Sequence, residues 1–175
     1  MDFSKNFRTE RLALRPVALR DIIFFLRLVG DVRVRQFLGG PVPWRQGVRQ
    51  FRAYRQGHPK VGIWVVRTMG RPGAIGLVVL SPHKDGEDYE VSYQFRPMFW
   101  GKGFAAEATA CVVDHALDNL GLQRVIAETQ TENAASCKML EGLGFIEEAR
   151  LSRFGALQAI YARSGKKPLP QSLRP

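Results

Sequence analysis

The sequence predicts one α/β (α+β) domain, in which a mixed, mostly antiparallel central sheet of about seven strands is flanked by helices. Three observations carry that prediction. Segments with strand patterning recur along the chain and are separated by short Gly- and Pro-bearing turns. A strongly periodic helix stands between two of the central strands, which calls for a right-handed crossover and a parallel pair. Finally, 175 residues with 45% hydrophobic content suffice for one core and are too few for two ordinary domains.

The elements follow in order. In Arg11–Arg15, Leu12 and Leu14 alternate with Arg11, Ala13 and Arg15, the period-2 mark of a half-buried strand, and Pro16 ends it. Ile22, Ile23, Leu26 and Val29 follow helical spacing within Leu19–Val29, with Gly30 placed to stop the helix. Val42–His58 reads as a second, arginine-rich helix on the recurrence of Val48, Phe51 and Tyr54. Gly62–Arg67 and Ala74–Leu80 form a hairpin across TMGRPG. In Tyr89–Phe95, Tyr89, Val91, Tyr93 and Phe95 face one way and Glu90, Ser92 and Gln94 the other. Ala105, Ala108, Val112, Ala116 and Leu120 keep the 3.6 period up to Gly121, and a strand at Arg124–Thr129 follows. Asn133 caps a short helix that ends at Gly144, before strands at Phe145–Leu151 and Ala156–Ala162. The domain is placed at residues 1–163, and the Pro-rich basic tail, residues 164–175, is expected to be disordered.

Composition narrows the function. No apolar run approaches the ~18 residues of a membrane span, and the N-terminus lacks a secretory h-region, so no membrane partner and a cytoplasmic location are expected. Cys111 and Cys137 fall in helical patterns with no metal-ligand or CxxC spacing, which argues against zinc or a disulfide. His58, His83 and His115 lie far apart, and solvated histidines are the simpler reading. The net charge of +10, most of it arginine, favours an anionic partner. Nucleic acid is disfavoured because no aromatic-basic platform or recognition-helix signature appears.

The junction between Tyr89–Phe95 and the long helix carries the chemistry. Its glycine-bearing turn, RPMFWGKGFA, opens a helix whose first N–H groups converge on one place, which is how backbone binds phosphate. Gly101 and Gly103 allow a tight turn and close approach, Lys102 adds charge, and Ala105 and Ala106 leave the approach clear. A tight strand-to-helix turn with no ligand is the competing reading. The loop matches neither GxxxxGK[ST] nor GxGxxG.

The loop resembles motif A of the GNAT superfamily of N-acetyltransferases, Q/R-x-x-G-x-G/A, with Trp100 at the first position, Gly103 at the fourth and Ala105 at the sixth. Trp100–Ala108, WGKGFAAEA, looks like the RimJ/RimL-type branch, ribosomal-protein N-terminal acetyltransferases. Three further stretches resemble that branch in order: TERLALRP (Thr9–Pro16), EVSYQFRP (Glu90–Pro97) and NAASCKMLEGLGF (Asn133–Phe145). The resemblance covers roughly residues 9–163. It implies the GNAT fold, with the parallel pair splayed apart, and acetyl-CoA as co-substrate with no metal. Gly101, Lys102, Gly103, Phe104, Ala105 and Ala106 would then hold the pyrophosphate. Pantetheine would lie between the splayed strands, against backbone groups near Phe95 and Arg96 and against Asn133, which can also be a plain helix cap.

Direct transfer needs a neutral amine, a polarised thioester and a proton for the leaving thiolate. Glu90 is the preferred base, with Glu128 or water as alternatives, while Glu107 suits a structural role. Ser136 is the candidate acid by the resemblance, with Tyr161 as alternative and Tyr93 read as a packing residue. Ser92 stands where the branch often has glycine, and ALQAIYARS after Gly155 lacks the acidic residue often found there. The expected function is an acetyl-CoA-dependent N-acetyltransferase acting on a protein N-terminus or a small-molecule amine. A non-catalytic acyl-CoA-binding module is the alternative, and a homodimer is compatible with either.

Overall fold

The period-2 segments pair into one twisted sheet in the computed structural model, which describes residues 3, 5–70, 72–86 and 88–165. The elements are β1 (Phe7–Arg8), β2 (Leu12–Pro16), α1 (Ile22–Val29), α2 (Trp44–Gln56), β3 (Gly62–Thr68), β4 (Ala74–Pro82), β5 (Tyr89–Phe95), α3 (Phe104–Asp118), β6 (Arg124–Gln130), α4 (Ala134–Gly142), β7 (Ile146–Arg153) and β8 (Ala156–Ser164). Among the described residues the sheet has eight strands in the order β1-β2-β3-β4-β5-β6-β8-β7. β5 and β6 are the parallel pair and every other neighbouring pair is antiparallel. The additional strand is β1, whose two residues are too few to show any alternation.

Alternation along the central strands divides the core in two. Ile75, Val78 and Leu80 of β4 and Tyr89, Val91 and Phe95 of β5 join Ala108, Val112, Val113 and Ala116 of α3. On the opposite face Ala74, Leu77 and Val79 of β4 pack with Ile63 and Val65 of β3 against Phe25, Leu28, Val29 and Phe51 of α1 and α2. The second face of β5, bearing Glu90, Ser92 and Gln94, contributes nothing to that cluster. Gly76 permits a close approach at the sheet centre: a Cβ there would fall 2.3 Å from the ring of Phe95.

The first helix begins with a 3-10 turn at Leu19–Asp21 rather than as continuous α-helix. Asp21, 3% exposed, is the reason. Its carboxylate accepts from both terminal nitrogens of Arg15 (2.7 and 2.6 Å) and from the Ala18 N–H (2.8 Å), tying the helix start to β2. Burial alone would raise the Asp21 pKa, but those bonds hold it below the usual carboxylate value. The second helix starts at Trp44, after Pro43, rather than at Val42. β8 runs on to Ser164, past the limit expected for the domain. The rest of the expected tail, 166–175, lies outside the described residues. Among the described residues, no helix is long and apolar enough to cross a membrane.

Candidate active site

The glycine loop begins where β5 ends. Pro97–Phe99 form one 3-10 turn, and the Trp100 indole donates to the Phe95 carbonyl at 2.7 Å. Gly101 (φ 70°) and Gly103 (φ 75°) then take the left-handed conformation that suits glycine, and Gly103 is the N-cap of α3. It offers no side-chain cap, and the first intrahelical bond is from the Glu107 N–H to the Gly103 carbonyl, at 3.0 Å. The amides of Phe104, Ala105 and Ala106 therefore sit at an uncapped helix start, where backbone donors and the positive end of the helix dipole favour an anion. Lys102 folds back, its ammonium donating to the Met98 carbonyl at 3.0 Å.

Two residues absent from the expected site fix this loop. Arg11 donates to Glu107 through Nε (2.6 Å) and its backbone N–H (3.0 Å), and through Nη1 to the Lys102 carbonyl (3.0 Å). The Thr9 hydroxyl also donates to Glu107. Partial burial would raise the Glu107 pKa, but the Thr9 and Arg11 bonds bring it below the ordinary value. Glu107 is thus a structural anchor. The TER stretch and the final acid of WGKGFAAEA are two halves of one lock, and their joint presence in the sequence was the signal available for it.

Beyond the loop, β5 and β6 pair only at Tyr89↔Val125 and Glu90↔Ile126. After Glu90 the strands diverge, and the slot between them is open. The Arg96 N–H donates to the Ile75 carbonyl on β4 at 2.9 Å, so Arg96 offers no free amide. Because backbone polar groups alternate sides along a strand, Tyr93 and Phe95 turn theirs toward the slot. The Phe95 carbonyl is already taken by Trp100, which leaves its N–H and the Tyr93 groups as the open edge.

On the α3 side of the slot, the Asn133 side chain caps α4 by accepting from the Ser136 N–H at 3.2 Å. The Ser136 hydroxyl, nearly buried, lies 2.6 Å from the Tyr93 hydroxyl. Burial pushes Tyr93 up to about 12, against the lowering effect of that hydrogen bond, so its proton stays in place at neutral pH. Tyr93 therefore does more than pack, as the strand pattern had suggested. Tyr161 lies on β8 with its hydroxyl donating to Glu141 (3.2 Å) and Glu147 (3.4 Å), on the wall of a separate cavity with Cys137. Among the described residues it makes no hydrogen bond to Ser136 or Tyr93, and burial raises its pKa.

On the opposite face, Glu90 stands at the closed end of the slot with Ile126 and Glu128 beside it on β6. Glu128 is held by Arg153, whose Nε donates at 2.6 Å and whose Nη2 also contacts it, and His83 Nε2 lies 3.5 Å away. Arg153 further contacts Asp85 and, at 3.2 Å, His83. Burial raises the Glu90 pKa and the Glu128 carboxylate adds to that, while His83 and the Glu128 backbone amide pull it down. Glu90 and Ser136 are not in one cluster: they occupy opposite faces at the two mouths of the slot. Among the described residues, no group of three His, Cys, Asp or Glu could hold a metal ion.

Residues 11–146 match the acetyltransferase (GNAT) domain family. The chain is 39% identical over 152 residues to the uncharacterized N-acetyltransferase p20 of Bacillus licheniformis, covering 82% of this chain and 83% of that protein. The fold superposes on the ribosomal-protein-S5-alanine acetyltransferase of Vibrio fischeri with a TM-score of 0.78 at 18% identity, covering 95% of this chain and 100% of that one. It also superposes on the spermidine N-acetyltransferase of Vibrio cholerae, solved with CoA and spermine, with a TM-score of 0.73 at 20% identity, covering 88% and 94%. An uncapped helix start beside a splayed parallel pair, and a family model spanning both, lead to one conclusion: the chain belongs to the acetyltransferase (GNAT) family and is an N-acetyltransferase.

Proposed function

We propose that the chain transfers an acetyl group from acetyl-CoA to a primary amine by direct attack in a ternary complex, within the RimJ/RimL-like branch to which its four signature stretches are similar. The observation that carries this reading is the end of β5–β6 pairing at Glu90↔Ile126, on the strand that runs into the uncapped start of α3. The residues present suit the coenzyme. Amides from Gly101 to Ala106 offer donors to a pyrophosphate, with Lys102 nearby, and the slot edge at Phe95 offers a ladder for an extended amide-bearing arm. The Asn133 side-chain nitrogen, which makes no hydrogen bond among the described residues, faces the same gap in this reading.

The coenzyme supplies a thioester carbonyl open to attack by a neutral amine. Glu90 takes the amine's proton, directly or through water, from the α1–α2 face. A base works best with a pKa near the working pH, and the burial and like charge that raise Glu90 move it that way. Glu128, already spent on Arg153, is the poorer acceptor. From the other face the Ser136 hydroxyl, held by Tyr93 2.6 Å away, protonates the leaving thiolate and regains its proton from water, while Glu90 returns the amine's proton to solvent.

Thiol release measured across a panel of peptides and amines tests the reading. Glu90→Gln is expected to cut kcat by about a hundredfold with coenzyme affinity unchanged. Because Glu90 must be ionised to act, the acid limb of the wild-type kcat/KM profile should lie above the ~4.3 of an ordinary glutamate and vanish in Glu90→Gln. Calorimetry without acetyl-CoA binding would overturn the proposal, and binding with no thiol release from any acceptor would favour a non-catalytic module.

A further inference from the structure

Glu90, Ser92 and Gln94 share one face of β5 by alternation, with Arg96 next in the row just past the strand, and none of them belongs to the apolar α1–α2 cluster on that side. The row leads from the closed end of the slot to a cavity of about 700 Å³ lined by α1, the segment after it, the start of β4 and Arg96–Met98. This volume falls within the range of ordinary ligand sites. Three arginines line it. Arg33 is neutralised by Asp31 at 3.0 Å, but Arg27 and Arg96 have no acidic partner among the described residues. Ile23 and Met98, both 62% exposed, add apolar surface at the same cavity. Between cavity and slot, Gln94 Oε1 is buried with no hydrogen-bond partner. A buried acceptor atom left unmatched costs free energy unless something donates to it.

We propose that this row and cavity form an extended acceptor groove that selects a peptide N-terminus carrying an acidic side chain several residues downstream. It rests on the reading that the amine approaches Glu90 from the α1–α2 face. In the groove, a peptide N–H donates to Gln94 Oε1, and Arg27 and Arg96 receive the carboxylate. Glu90 to Arg96 spans about 20 Å of strand, so the acid belongs roughly four to six residues from the amine. Both guanidinium groups also disfavour a polycation in this groove, which separates the chain from a spermine-binding relative of the same fold. Specificity comes from two cations that have no acidic partner among the described residues.

The test is binding to the CoA-loaded protein of C-terminally labelled hexapeptides that differ only in Asp or Asn at the fifth residue, with spermine as the cationic probe. The Asp peptide is expected to bind at least about tenfold more tightly than the Asn peptide or spermine. That preference should fall to within about twofold in Arg27→Gln/Arg96→Gln and persist in Arg49→Gln/Arg52→Gln on the exposed face of α2. Equal binding of the two peptides, or a preference surviving the first double variant, overturns the proposal, as does a preference lost only with the α2 pair. Thiol release is read separately: charge-selective binding without release defeats the catalytic reading and leaves the groove standing. Release with no charge preference does the reverse.

Discussion

The two ends of β5 are built differently. At its C-terminal end the glycine loop presents backbone amides and is locked by residues that meet in one compact set of bonds, Thr9 and Arg11 on Glu107. At its N-terminal end Glu90 lies among side chains drawn from the β4–β5 turn, β6 and the end of β7, with Arg153 contacting Glu128, Asp85 and His83 together. A backbone site tolerates side-chain change as long as the loop conformation survives. A site of long side chains depends on each charge. The loop end is therefore suited to one constant ligand, and the Glu90 end is where the charge around a single carboxylate can be altered.

Breaking the backbone end should have the largest effect. Gly103→Glu places a side chain and a negative charge at a residue with φ of 75°, where even a Cβ would meet Arg11 Nη2 at 3.2 Å. Coenzyme affinity measured by calorimetry should fall by more than about a hundredfold, and unaltered affinity would refute the location of the anion site. At the other end, Arg153→Gln leaves Glu128 without its guanidinium beside Glu90. Two carboxylates then share one site, so the acid limb of kcat/KM should move to higher pH and kcat/KM at neutral pH should fall about tenfold, with coenzyme affinity unchanged. A profile that does not move would mean that Arg153 only braces the β7–β8 turn.

The smallest effect concerns the lock. Glu107→Gln should lower stability by about 1–2 kcal/mol in chemical denaturation at neutral pH, through weakened charge-assisted bonds to Thr9 and Arg11. The pH dependence has a definite sign. The folded pKa of Glu107 lies below its unfolded value, so its contribution is complete above the unfolded value of ~4.3 and is lost as pH falls through the folded one. The stability gap between wild type and Glu107→Gln should accordingly be constant near neutrality and close in acid.

Local patterning carried much of this molecule in its sequence. Alternation in Tyr89–Phe95 identified which residues enter the core, because a strand's side-chain period is fixed by backbone geometry. The Gly101–Gly103 turn and the apolar period after it gave the helix start, again a local property. Single-residue boundaries shifted where side chains intervened, as at Leu19–Asp21, where the Arg15–Asp21 pair tightens the first turn. β1 was invisible because two residues carry no period.

Sites joined across long sequence separations were only partly legible. The sequence prefers Glu90 to Glu128 as base, but the side chain that sets the two apart in space, Arg153 on Glu128, is remote from both in sequence. Tyr93 read as a core residue because its position in the strand fits one, yet its hydroxyl meets Ser136 across the slot. The sequence by itself determined the order of elements, the glycine turn into α3 and the family, since each depends on neighbours in the chain. Only the tertiary structure decided which charges are spent on one another and which are left over, because pairing is set by distance in space and no local pattern records it.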